Sequence, residues 1–297
     1  LALRTLAAQC AAAGLALWML WAGFGAWALV SFALANALLT NGLSILLAHW
    51  WPGRAPSWRD IRLVLPKTGQ LMGRVALTTN QLPLAQLAIG LVLGPAAAGA
   101  FQIATRMFEL IEALTLSPLR FIALPRLAGS ADLGATLQRE FRQSATLAAW
   151  VWGGTCAATV PILTLAVGRE HAPAAAPILQ GLALLGLASA LMMPLTQALT
   201  AKGFTGLVLA RAALSLGASA AFMALALTVG PAACALALSL AGGVAHLWLL
   251  QRALPRLGLP WADLAPVAPP LLAEVVLGTG LYALTLAAFR LPRRGFA

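Results

Sequence analysis

Acidic residues are nearly absent from this chain: there are eight among its 297 residues. Charged residues of either sign make up 9%, hydrophobic residues make up 61%, and the mean hydropathy is +0.88. A water-soluble globule carries about 25% charged residues, so these proportions exclude one. The shortage of acids also removes the carboxylate cluster that would hold a metal beside a diphosphate, and no cofactor is expected. Three widely separated histidines supply no HxxxD or HExxH pattern, and neither GxSxG nor a Walker motif occurs. Cys10, Cys156 and Cys234 stand alone in apolar surroundings. Without CxxC or Cys/His spacing they read as small buried packing residues. The alternating pattern of a membrane β-barrel is missing, which leaves the α-helix as the spanning structure. The first residues show no order of n-region, h-region and cleavage site. The chain starts at a leucine and is expected to be a piece of a longer protein.

What is present is a series of long uncharged runs. Between Arg4 and Arg54 no residue is formally charged, and similar runs follow Arg74, Arg142, His171, Arg211 and Glu274. Each is long enough, or nearly so, to cross a hydrocarbon core of about 30 Å as a helix. Gly23-Phe24-Gly25 divides the first run into spans of about 5–23 and 26–48, with Trp18, Trp21 and Trp27 as interfacial rings. Further spans are predicted near 70–93, 97–124, 144–167, 174–199, 204–228, 231–250 and 266–289, separated by glycine and proline turns. The fold class is therefore all-α: a polytopic integral membrane helix bundle of about nine transmembrane helices. Small residues in every span favour close helix–helix approach.

The net charge of +11 reflects positive-inside loops and anionic headgroups, so membrane lipids are expected partners and nucleic acid is not. Residues 49–69 carry Arg54, Arg59, Arg62 and Lys67 against Asp60 and read as an amphipathic cytoplasmic segment. The 125–143 loop, Lys202 and the 251–265 loop fall on the same side, while the opposite turns at 23–25, 94–96 and 229–231 carry no charge. Arg290, Arg293 and Arg294 break the rule. Either the last segment does not cross fully or the assignment fails there.

Each ionisable group at bilayer depth is a functional hypothesis. Gln102, Arg106 and Glu109 fall at i, i+4, i+7 on one helical face, and Glu112 adds a second carboxylate. They form either a self-neutralising intrahelical pair or the lining of an aqueous cavity. Arg74 and Arg211 sit near helix ends and either snorkel to headgroups or serve the same cavity. Asn80, Gln81 and Gln86 flank Pro83, which fits a broken helix facing protein or water. His246 is placed at a cytoplasmic helix end, His49 at an interface and His171 in a loop.

The stretch LPLAQLAIGLVLGPAAAGAFQIATRMFELIEALTLSPLRFIALPRLA, Leu82 to Ala128, resembles the opening of the second lobe in oligosaccharide flippases of the multidrug/oligosaccharidyl-lipid/polysaccharide exporter superfamily, the O-antigen and exopolysaccharide type. The pattern is Ile89-Gly90, Leu93-Gly94, Gly99, Ala104, Arg106, Ser117-Pro118 and Pro125. Gly23 to Val30 is similar to a turn late in the first lobe, and Pro194 to Gly217 to a helix–turn–helix of the second. Family members often have an acid before the Ile-Gly, where this sequence has Ala85-Gln86. The resemblance implies MATE-like lobes. Residues 1–48 would end the first lobe, 49–69 would be the interlobe linker, and 70–250 the second lobe. Residues 251–297 would add a C-terminal membrane segment and a basic tail.

It also implies a multi-pass transporter of the bacterial inner membrane, not an enzyme. Such a protein moves a polyprenyl-diphosphate-linked oligosaccharide by alternating access, with other polysaccharide-assembly membrane proteins as candidate partners. Under that reading the cavity candidates are Arg106, Glu109, Gln102, Arg74, Asn80, Gln86 and Arg211. The alternatives are a cation-coupled drug exporter of the same superfamily, a membrane-embedded glycan ligase or polymerase, and an inactive truncated paralogue.

Overall fold

The computed structural model describes residues 2–25, 27–48 and 57–259. His49, the Trp50-Trp51-Pro52 motif, Arg54, the expected span over 266–289 with Glu274, and the three C-terminal arginines lie outside the described residues. Among those described, all regular structure is helical. The chain divides into two compact units, Leu1–Leu63 and Val64–Ala297.

The first unit is a helical hairpin of α1 (Ala2–Trp21) and α2 (Trp27–Ala48). The turn falls at Gly23-Phe24-Gly25, as the sequence predicts, and Trp18, Trp21 and Trp27 around it are exposed. Two polar residues of α2 bond within their own helix: Ser31 donates to the Ala28 carbonyl at 2.9 Å and Asn41 to that of Ala37 at 2.9 Å. This lets α2 keep Ser31 and Asn41 in an apolar span without a partner from another helix. Cys10 on α1 is exposed, not buried as expected.

Helix α3 (Trp58–Leu93) opens on a reciprocal cap, in which Ser57 N–H donates to Asp60 Oδ2 and Asp60 N–H to Ser57 Oγ, both at 3.2 Å. Arg62 lies over the Trp58 ring, 5.4 Å from its centroid. The basic stretch 58–69 is thus the first part of the helix that continues as the span expected from residue 70, because the cap sits at Ser57 and the helix runs on through Pro66. Pro66 and Pro83 lie within α3, so the break expected around Pro83 does not occur.

The second unit is built around α7 (Ala172–Ala201), most of which is buried. Against it pack α4 (Pro95–Ala128), α5 (Leu133–Ala148), α6 (Gly154–Val167) and α9 (Pro231–Leu257), and α8 (Thr205–Ala226) packs on α9. Two turns show how the chain reverses in lipid. Gly94 has φ +90° and Gly230 φ +142°, each followed by a proline at the first helical position. Positive φ suits glycine, and that proline's missing N–H is one a helix start leaves unbonded anyway. Between α7 and α9 the backbones nearly touch. A Cβ on Gly181 would stand 2.9 Å from that of Ala235, and Ser239 Oγ donates to the Gly181 carbonyl at 2.6 Å.

Two boundaries differ from the sequence reading. Pro125 does not close α4, which runs to Ala128 and stops at Gly129. The expected loop 125–143 shrinks to four residues, since Asp132 caps α5 by accepting from Ala135 N–H at 3.0 Å. Arg139 and Arg142 therefore sit on a helix, and Arg126 pairs with the buried Glu140 at 3.3 Å. From α5 the chain passes through a π-helical turn, Ala149–Gly153, into α6, which kinks at Ala158 ahead of Pro161. Gln180 donates its carboxamide to the Cys156 carbonyl beside this kink at 3.2 Å.

Six segments among the described residues are long and apolar enough to cross a bilayer: 30–47, 58–93, 133–167, 172–201, 205–226 and 231–257. The apolar part of α1, Ala7–Trp21, is shorter. α4 has the length, but Arg106, Glu109 and Glu112 fall close together in it. The chain is a multi-pass helical membrane bundle.

Candidate functional site

The charges clustered in α4 mark the site. A cavity of about 340 Å³ lies within the second unit, walled by α3, α4, α7, α8 and α9. Its charged residues are Arg74 from α3, Glu109, Glu112 and Arg120 from α4, and Arg211 from α8, with His246 from α9. Hydroxyls and carboxamides complete a polar wall: Thr78, Thr79 and Gln81 on α3, Ser189, Thr196 and Gln197 on α7, and Ser215 on α8. A polar chamber inside an apolar bundle is the form a membrane protein takes where it handles something hydrophilic.

The side chains reach the chamber for local reasons. On α4 the residues Phe101, Ala104, Thr105 and Phe108 are buried. A helix turns about 100° per residue, so Glu109, Glu112 and Arg120 follow that buried face round to the chamber. On α3, Gln81 donates to Ser219 Oγ at 2.7 Å and accepts from Ser215 Oγ at 3.4 Å, which ties α3 to α8. One end of the same pair is tied by Thr205 Oγ1 donating to Gln70 Oε1 at 2.5 Å. Both carboxylates are engaged. Glu112 accepts from Arg120, and Glu109 accepts from Arg106 at 3.0 Å. Arg211 donates to His246 Nε2 at 3.1 Å. Arg74 has no carboxylate partner among the described residues. Arg74, Arg120 and Arg211 are near enough to interact electrostatically.

Of the seven sequence candidates, the chamber brings together Arg74, Arg211 and Glu109. Arg106 is outside its lining, with 73% of its side chain exposed, and touches the chamber only through Glu109. Three residues advance a helix by about 300°, so Arg106 stands some 60° round from Glu109. Gln102 is exposed on the same stripe as Glu109 but about 10 Å nearer the helix start. Asn80 turns back to donate to the Ala76 carbonyl at 2.7 Å and borders a separate shallow apolar groove with Leu71, Met72 and Val75. Gln86 is half-buried further along α3, away from the lining.

Sequence reasoning missed Arg120 and misplaced His246. Arg120 is eleven residues from Glu109, which is three turns and returns to nearly the same stripe; that spacing was the available signal. His246 is buried in the chamber wall and not at a helix end, because α9 continues to Leu257. The serine, threonine and glutamine residues of α7 carried no signal, since a hydroxyl in an apolar helix more often bonds its own backbone.

Comparison with known proteins agrees with this architecture. The family described as polysaccharide biosynthesis protein matches residues 1–176. Among solved structures, the fold is similar to that of lipid II flippase MurJ in an inward closed conformation, with TM-score 0.62 and 14% identity. That likeness covers 88% of this chain and 61% of the MurJ chain, so this chain spans under two thirds of the MurJ length. No curated protein sequence matches. The family match and the fold both fall in the multidrug/oligosaccharidyl-lipid/polysaccharide exporter superfamily that the Leu82–Ala128 stretch resembles. The chain belongs to the polysaccharide biosynthesis protein family.

Proposed function

We propose that this protein is a flippase that carries a polyprenyl-diphosphate-linked oligosaccharide across the bacterial inner membrane. One observation carries the reading: among the described residues, ion pairing uses up both carboxylates at the chamber and leaves Arg74 and Arg211 as cations without one. A diphosphate diester brings one negative charge on each phosphate, which those two guanidiniums match. Guanidinium stays charged when desolvated and meets phosphate oxygens with a fork of donors. Two neighbouring cations in a poorly solvated chamber repel until an anion enters, so the site favours the anion's arrival. The hydroxyl and carboxamide wall suits sugar hydroxyls, which both donate and accept. A cation-coupled drug exporter would need a carboxylate free to take up its ion, and both carboxylates here are already paired.

The reading makes the protein a transporter. A strain lacking the full-length protein is expected to accumulate polyprenyl-linked repeat units on the cytoplasmic leaflet while glycosyl transfer continues. Normal surface glycan in such a strain, with no redundant exporter, would sink the reading. Loss of the lipid-linked unit itself would point to an enzyme.

Arg106 has a secondary part in this scheme, as the partner that neutralises Glu109. Arg106→Gln is expected to reduce export several-fold by leaving the carboxylate unpaired at the chamber. Arg106→Gln with Glu109→Gln should bring export back near the wild-type rate, measured as surface polysaccharide per unit of inserted protein. If the double variant stays as impaired as the single one, Arg106 has a direct role in binding.

A further inference from the structure

Arg211 is held by an imidazole where most buried arginines are held by a carboxylate. Its Nη1 lies 3.1 Å from His246 Nε2, and the histidine is buried on α9 at the chamber wall. A guanidinium can only donate, so Nε2 must accept, and the ring is neutral with its proton on Nδ1. Among the described residues, the charged and titratable groups sharing the chamber with it are Arg211 from α8, Arg74 from α3, and Glu109, Glu112 and Arg120 from α4. α7 contributes Ser189, Thr196 and Gln197, none of which titrates. Both carboxylates already have arginine partners.

We propose that His246 positions Arg211 in the empty chamber and takes up a proton when a diphosphate ester binds there. The inference rests on the reading of Arg211 as an anion-binding residue. With no anion present, a proton on His246 removes the acceptor that Arg211 uses and sets imidazolium against guanidinium. An incoming phosphate reverses both effects, because Arg211 turns its donors to phosphate oxygen and the imidazolium offers a further N–H. The anion-bound state therefore holds one proton more than the empty state. By linkage, affinity rises as pH falls, and the proton is released again where the diphosphate is released.

Isothermal titration of the purified full chain in detergent tests this, with citronellyl-diphospho-N-acetylglucosamine as probe. This diester keeps its two charges between about pH 6 and pH 8, so any proton exchanged comes from the protein. Wild type is expected to bind several-fold more tightly at the lower pH, up to about tenfold per pH unit, and to show proton uptake when two buffers of different ionisation enthalpy are compared. His246→Gln keeps an acceptor for Arg211 but cannot titrate. It should bind the probe with no pH dependence and no proton uptake. Wild-type binding that is independent of pH overturns the proposal even if the variant fails to express, and so does proton uptake that persists in His246→Gln. Arg211→Gln separates the two levels. If it binds the diester as well as wild type, or if wild type does not bind it, the reading of the chamber as an anion site fails as well.

Discussion

Replacing Arg74 or Arg211 by glutamine is expected to cut glycan export roughly 10- to 100-fold, and replacing both to abolish it. Each guanidinium would lose charge-assisted hydrogen bonds to phosphate worth about 1.5–3 kcal/mol, which converts to that range. The protein itself should remain inserted and near its normal level. Neither arginine is paired with a carboxylate among the described residues, so removing it takes a charge out of the chamber without stranding an opposite one there. Relief of the repulsion among Arg74, Arg120 and Arg211 should leave thermal stability unchanged or slightly raised. This combination, lost transport with kept stability, separates a binding role from a structural one. Arg120→Gln is the contrasting case: it strands Glu112, so stability and export should fall together. Lysine at position 74 or 211 should recover only part of the export, because an ammonium keeps the charge and loses the fork. A double variant that exports within a few-fold of wild type would place the diphosphate site outside this chamber.

How much of this could be read from the sequence follows from how strongly each feature is forced. Hydropathy has no competing interpretation in a chain with so few charges, so the helical membrane bundle and its turns were legible. Gly94-Pro95, Gly168, Lys202-Gly203 and Gly230-Pro231 all end or begin helices where expected. Boundaries at prolines were less so. Pro83 and Pro125 both lie inside helices, since one missing N–H is tolerated when neighbouring turns stay in place. The chamber was legible as chemistry and only partly as geometry. Arg74, Arg211 and Glu109 were singled out as charges that lipid would not tolerate. Which way α4 turns Glu109 is set by Phe101 and Phe108, whose burial orients the helix and leaves Arg106 on its flank. That rotation depends on what packs across α4, and no periodicity within α4 contains it. His246 was missed for a similar reason: its partner is 35 residues away on another helix.

The same dependence on packing makes Gly186 the position where a single methyl group should matter most. A Cβ there would fall 2.3 Å from Trp152 Cε2, 2.4 Å from Cζ2 and 2.7 Å from Cδ2. Three ring atoms within that range leave no small side-chain rotation that clears the clash, and the indole is fully buried. The ring is also fixed from two other sides. It belongs to the π-helical turn Ala149–Gly153, and it stacks on Phe108 with centroids 5.0 Å apart and planes at 28°. Gly186→Ala must therefore displace either α7 or the indole, and overpacking of this kind destabilises by about 1–3 kcal/mol. Phe108 lines the chamber one residue before Glu109, so a displaced indole moves the wall that holds the Arg106–Glu109 pair. Export should fall with stability, unlike in the Arg74 and Arg211 variants. Trp152→Phe removes the benzo ring, to which all three clashing atoms belong. Combined with Gly186→Ala it should give a protein more stable than the sum of the two single changes predicts, a favourable coupling measurable in a double-mutant cycle of thermal midpoints in detergent. Strict additivity would mean that the indole and α7 do not meet at Gly186, and the packing that orients α4 toward the chamber would then need another source.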